Sequence, residues 1–187
     1  MKRALMLILL LAACRQEAEQ AIDPVTLSAS SVGHFCQMNL LEHPGPKAQV
    51  HLDGIPGAPL FFSQVRDAVA YARLPEQDHV ILAIWVNDMG APGATWENPG
   101  ATNWIDAQTA HYVVGSDQAG GMGAPELVPF ADISAAAAFA DAHDGTVSAL
   151  DAIPDAAVIA PVALQPGEGD DADFRDRLRA LSQRPEG

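Results

Sequence analysis

The hydrophobic pattern runs along the chain in two similar rounds. Positions 48–52, Ala48-Gln49-Val50-His51-Leu52, alternate with the period of a β-strand, and Asp53-Gly54 follows as a turn. Pro59-Leu60-Phe61-Phe62 is a second short apolar run. The spacing then becomes helical. Val65, Ala68, Val69 and Ala72 share one face of a helix predicted over 64–73, with Ser63 as its N-cap and Pro75 as its stop. Residues 80–86, Val-Ile-Leu-Ala-Ile-Trp-Val, are apolar throughout and predict a buried central strand. Gly, Pro and Asn make 87–100 a loop.

The second round opens with strands predicted over 103–106 and 110–114, followed by a glycine-rich loop over 116–123. Val128-Pro129-Phe130 leads into a helix over 133–143, capped by Asp132, and Asp144-Gly145 turns the chain into a last strand over 146–150. The rounds align at one constant offset: Phe62 with Phe130, Val65 with Ile133, Ala68 with Ala136, Val69 with Ala137, Tyr71 with Phe139 and Ala72 with Ala140. The expected fold is α+β: two similar small ββαβ-type units, residues 25–100 and 101–160, forming a cleft in which a ligand would sit.

The ends differ from this body. Lys2 and Arg3 form a basic head, 4–13 is apolar, and Cys14 follows. The apolar run is too short to span a bilayer, which needs about 20 residues. It reads as a secretory signal peptide over 1–13. Leu11-Ala12-Ala13-Cys14 resembles a bacterial lipobox, which predicts cleavage before Cys14 and lipid attachment there. Residues 14–24 then serve as the lipidated residue and tether. Beyond Pro161 the chain turns to Gln, Pro, Gly, Glu and Asp, so 161–187 is expected to be a flexible acidic tail.

Formal net charge is −14, and losing Lys2 and Arg3 with the leader makes it −16. Such a chain repels nucleic acid and anionic head groups, and its partners are cations or basic protein patches.

With Cys14 consumed by lipid, Cys36 is a thiol without a partner for an intrachain disulfide. It lies in Gly33-His34-Phe35-Cys36-Gln37-Met38-Asn39-Leu40-Leu41-Glu42-His43. Thiolate and thioether donors select a soft ion such as Cu(I), with imidazole as a borderline donor. If the segment is a strand, Cys36 and Met38 face one side, and His34 shares their parity. His43 precedes Pro44-Gly45-Pro46, where a turn could bring it back. Met122, flanked by glycines in Gly120-Gly121-Met122-Gly123, is a further soft donor on a loop, and Met89 is a weaker one. The bland readings are a buried thiol, Met as core filler and surface histidines. No HExxH, GxxxxGK or GxSxG motif occurs. Two other classes stay open: a metal-free lipid-anchored binding or scaffold protein, and a cysteine enzyme with His34 or His43 as base.

Between about Phe35 and Ile153 the chain resembles the NosL family of copper-binding lipoproteins associated with nitrous oxide reductase maturation. The resemblance is carried by Cys36-Gln37-Met38, Glu42-His43-Pro44-Gly45-Pro46-Lys47-Ala48-Gln49, Phe61-Phe62-Ser63-Gln64-Val65-Arg66-Asp67-Ala68, Val86-Asn87-Asp88-Met89-Gly90, Asn103-Trp104-Ile105-Asp106-Ala107, Tyr112-Val113-Val114-Gly115-Ser116 and 120–130. It implies a periplasm-facing, membrane-anchored carrier, not an enzyme, that binds Cu(I) and delivers it toward nitrous oxide reductase, through a membrane maturation complex of the same system. By position it implies Cys36, Met38, His43 and Met122 as metal ligands. Many relatives have Gly between the Cys and the Met; this chain has Gln37, a difference that bears on the local backbone.

Overall fold

The computed structural model describes residues 20–159 and Arg179. The leader, Cys14, residues 15–19 of the tether and, apart from Arg179, the acidic tail lie outside the described residues. The first sheet has the order β2-β1-β3-β4, with every pairing antiparallel: β1 is Ala48–Leu52, β2 Leu60–Phe62, β3 Ile81–Asn87 and β4 Trp104–Asp106. Helix α1, Val65–Arg73, follows β2. The second sheet has the order β6-β5-β7, also antiparallel, with β5 His111–Val114, β6 Val128–Phe130 and β7 Thr146–Ser148. Helix α2, Ile133–His143, follows β6, and a short α3, Asp155–Val158, closes the described chain.

Strand β1 stands between β2 and β3 as β5 stands between β6 and β7, so both halves are ββαβ units of one topology. Strand β4, expected at the head of the second unit, pairs with β3 and completes the first sheet.

One core joins the halves. Ala48, Val50, Phe62, Val65, Ala68 and Val86 of the first unit pack with Tyr112, Leu127, Ile153 and Val158 of the second. Side chains alternate across a strand. Tyr112 on β5 therefore faces this core, while its neighbour Val113 faces a smaller one with Val128, Phe130 and Ala136. Met89, partly buried, packs against that smaller core.

Two departures from the pattern have local causes. Strand β1 alternates in polarity, yet all five residues are buried, because the segment from Gln20 crosses its outer face. Gln49 accepts from the Val25 amide at 2.8 Å and donates to the Val25 carbonyl at 3.1 Å, and Gln20 donates to the Leu52 carbonyl at 2.7 Å. Pairing with the sheet is thus already present at Gln20, the first described residue. Strand β3 is central but not fully buried, since the register shifts between His51 and Leu52 and leaves Leu82 without a partner, exposed. Helix α2 has the predicted bounds, and Asp132 caps it by accepting from the Ala135 amide at 2.9 Å.

The Tyr112 hydroxyl, fully buried, donates to the Ala107 carbonyl at 2.8 Å. Tyr112→Phe keeps the ring and removes this bond, so a loss of about 1 kcal/mol is expected. A lower denaturant midpoint with an unchanged slope checks it.

Candidate functional site

The segment carrying Cys36 is a tight loop and not a strand. Val32 and Asn39 bridge at its base, the Gly33 amide donates to the Met38 carbonyl at 3.0 Å, and the Gln37 amide to the Gly33 carbonyl at 2.8 Å. The parity argument that aimed Cys36 and Met38 to one side therefore does not apply. The reversal is made at Gln37, whose φ of 55° lies in the left-handed region. Its side-chain amide donates to the His34 carbonyl at 2.8 Å and the Gly33 carbonyl at 3.3 Å, holding a conformation that glycine would reach without strain. Gly33 is needed for another reason: a Cβ there would stand 2.5 Å from Cys36 Sγ.

Cys36 is half-buried, and its thiol donates to Ser63 Oγ at 3.7 Å. Met38 is exposed. His34 points elsewhere, its ring packed 5.5 Å from that of Tyr71 and 5.6 Å from that of Phe62. Leu40–Glu42 forms a 3-10 turn started by Asn39, and it delivers half-buried His43 to the Pro44-Gly45-Pro46 corner.

The glycine-rich loop of the second unit reaches this place. The Met122 amide donates to Gln64 Oε1 at 2.7 Å, and the Met122 side chain is exposed. Gly121 lies so close to the first unit that a Cβ would fall 2.8 Å from His43 Cβ and 3.1 Å from the Pro44 carbonyl oxygen. The structure thus brings three predicted residues onto one corner: Cys36 through Ser63, Met122 through Gln64, and His43 through Gly121. Met38 lies on the Cys36 loop, its carbonyl accepting from the Gly33 amide; Cys14 is outside the described residues.

Beneath these loops are groups that the sequence reading missed. Gln64, not Ser63, is the N-cap position of α1, and its side chain makes no cap bond. The cap comes from the other half. Glu126 Oε1 accepts from the Arg66 amide at 3.0 Å and from its neighbour Leu127 at 2.8 Å. Glu126 is 1% exposed, and Oε2 has no hydrogen-bond partner. Burial pushes its carboxyl up to about 8; the two amides and the Lys47 charge pull it back down, while Asp67 pushes it further up. Lys47 is equally buried, its ammonium donating to the Pro44 carbonyl at 2.8 Å and to the Gly45 carbonyl. Burial pulls Lys47 down to about 8, opposed by the nearby charges of Glu126 and Cys36. A lysine and a glutamate inside otherwise apolar strand-like runs were the available signal, since such residues are seldom buried without a partner.

This architecture defines a class: duplicated ββαβ proteins in which loops of both halves, here those carrying Cys36 and Met122, are anchored at the start of one helix. The chain belongs to the NosL family, whose model matches residues 24–158. It is 59% identical over 173 residues to the copper-binding lipoprotein NosL of Achromobacter cycloclastes, covering 92% of this chain and 89% of that one. Identity to the copper-binding lipoprotein NosL of Stutzerimonas stutzeri is 32% over 154 residues, covering 82% and 77%. The crystal structure of the copper chaperone NosL from Shewanella denitrificans superposes with a TM-score of 0.66 at 28% identity, covering 72% of this chain and 97% of that chain. The α+β expectation agrees with that likeness.

Glu126 also sets a pH dependence. Its folded pKa, about 8, lies above the unfolded value of 4.5. Its contribution to stability is therefore fully present below pH 4.5 and is lost as pH rises through about 8, with a slope of about 1.4 kcal/mol per pH unit at most. Glu126→Gln keeps the acceptor for the Arg66 amide and removes the titration. The difference in unfolding free energy between the two proteins, followed from pH 4 to 9, should shift in favour of Gln as pH rises.

Proposed function

We propose that this protein is a lipid-anchored copper carrier that binds Cu(I) at Cys36, Met38, Met122 and His43. It hands the ion on toward nitrous oxide reductase by way of a membrane maturation complex. The observation that carries this reading is the anchoring of both donor loops on the consecutive residues Ser63 and Gln64. The relatives' copper-binding names and the family membership support it.

The donor chemistry fits the cargo. Among the described residues no three His, Cys, Asp or Glu side chains cluster as a metal site. A metal held here needs the thioethers too, and a set of thiolate, thioethers and one imidazole matches a soft monovalent ion. Met38 and Met122 are exposed and Cys36 and His43 half-buried, so a partner's ligands can replace these donors one at a time. That is what a carrier requires; no covalent chemistry on a substrate is involved. Among the described residues the thiol's hydrogen bond goes to the Ser63 hydroxyl and not to an imidazole, which favours ligation over nucleophilic catalysis. Anchoring follows from the Leu11-Ala12-Ala13-Cys14 leader and the relatives' designation as lipoproteins. Among the described residues no helix is long and apolar enough to cross a membrane. The periplasmic face is the compartment in which such a leader leaves the domain.

Titration of the reduced protein with Cu(I) against a competing chelator tests the assignment. Cys36→Ser should weaken binding by more than the roughly 10–100-fold that follows loss of a residue that merely orients a ligand. Met38→Ala, Met122→Ala and His43→Ala should each weaken it less than Cys36→Ser does. Wild-type affinity in any of the four removes that residue from the set.

A further inference from the structure

We propose that the Leu52 end of the first sheet lies against the lipid bilayer, so that the donor loops at the opposite end of β1 are held out in the aqueous compartment. The proposal rests on the anchored reading above and adds an orientation to it.

Four apolar side chains are exposed at this end: Ile22, Ile55, Leu82 and, at 62%, Val80. Hydrogen bonds bring them together. The Asp53 amide donates to the Val80 carbonyl at 2.9 Å, and the Ile55 amide to the Leu52 carbonyl at 3.4 Å. Ile22 and Leu82 line two shallow depressions, one of about 270 Å³ shared with Trp85 and one of about 300 Å³ shared with Gln20 and Asp53. The register shift in β3 is what turns Leu82 outward. Single exposed apolar residues need no explanation, but a cluster of them marks an interaction surface.

The chain itself names the occupant. Gln20 is fixed to this end of the sheet, donating to the Leu52 carbonyl and accepting from the Gly54 amide. Six residue steps separate it from Cys14, a reach of roughly 20 Å at full extension. A domain tethered so closely by acyl chains cannot keep this end far from the head groups. Ile22, Ile55, Val80 and Leu82 would enter the head-group boundary, as apolar side chains of interfacial proteins do. Asp23, Asp53 and Asp78 lie in the same segments, which suits zwitterionic phosphatidylethanolamine better than anionic lipid.

The donor loops are at the other end. Lys47 precedes Ala48, and Ala48 pairs with Phe62, the residue before Ser63. Five residues of β1 separate the two ends by roughly 14 Å.

The test uses the full lipidated protein on vesicles of phosphatidylethanolamine and phosphatidylcholine. Flotation reads the anchor, and hydroxyl-radical footprinting of the floated protein reads side-chain access. Ile55, Val80 and Leu82 are expected to label at least about threefold less, after correction for intrinsic reactivity, than exposed Phe35 and Leu41 beside the donors. The double variant Val80→Asp, Leu82→Asp should still float and should regain labelling at Ile55. Flotation with equal labelling at both ends, or with the donor loops protected instead, overturns the orientation alone. Protection that rises with protein-to-lipid ratio assigns the face to a second copy and also overturns it. Failure to float overturns the anchored reading and the orientation together.

Discussion

The carboxyl oxygen of Glu126 on the first-turn amide of α1 is the contact on which the site depends. The first amides of a helix have no partner within it, and α1 begins at a Gln whose side chain is engaged elsewhere. The acceptor arrives from sixty residues further along the chain. The helix dipole favours negative charge at that end, but burial lifts the carboxyl pKa to about 8, so at neutral pH the contact is a carboxyl oxygen accepting from the amide. Burial opposes the charge, and Lys47, held on the carbonyls of the Pro44-Gly45 corner, offsets part of that cost. Ser63 and Gln64 stand just ahead of the capped turn, so whatever fixes the helix start also fixes the anchors of the loops that carry Cys36 and Met122.

The two halves share a topology but divide the work unequally. Helix α1 buries Val65, Ala68 and Val69 in the common core, whereas α2 buries Ala136 alone and leaves Ile133 exposed. Helix α2 has its own cap in Asp132. Helix α1 takes its cap from the second. Strand β5 packs against both cores through alternate side chains, which makes the pair of units one folded body.

Local chemistry was legible in the sequence and long-range chemistry was not. Period and capping signals placed α2, and the offset between rounds anticipated the shared ββαβ topology. Ser63 has the right residue type for an N-cap, yet its hydroxyl accepts from Cys36; no short-range rule reveals a competing cap in Glu126. The strand parity considered for the Cys36 segment does not hold, because one backbone angle at Gln37 makes the segment a loop. The convergence of Cys36, His43 and Met122 became visible only with the anchoring of 120–123 on Gln64 and His43. Polar Gln49 and His51 look solvent-facing in the alternation and are covered by a segment that carries no regular pattern.

The left-handed backbone at Gln37 narrows what the position accepts during evolutionary drift. Side chains branched at Cβ crowd that conformation most, while Gly, Asn and Asp enter it readily. A residue there is thus screened for how it bends the main chain before any question of charge or polarity arises, and a glutamine survives because its amide ties down the turn that it strains.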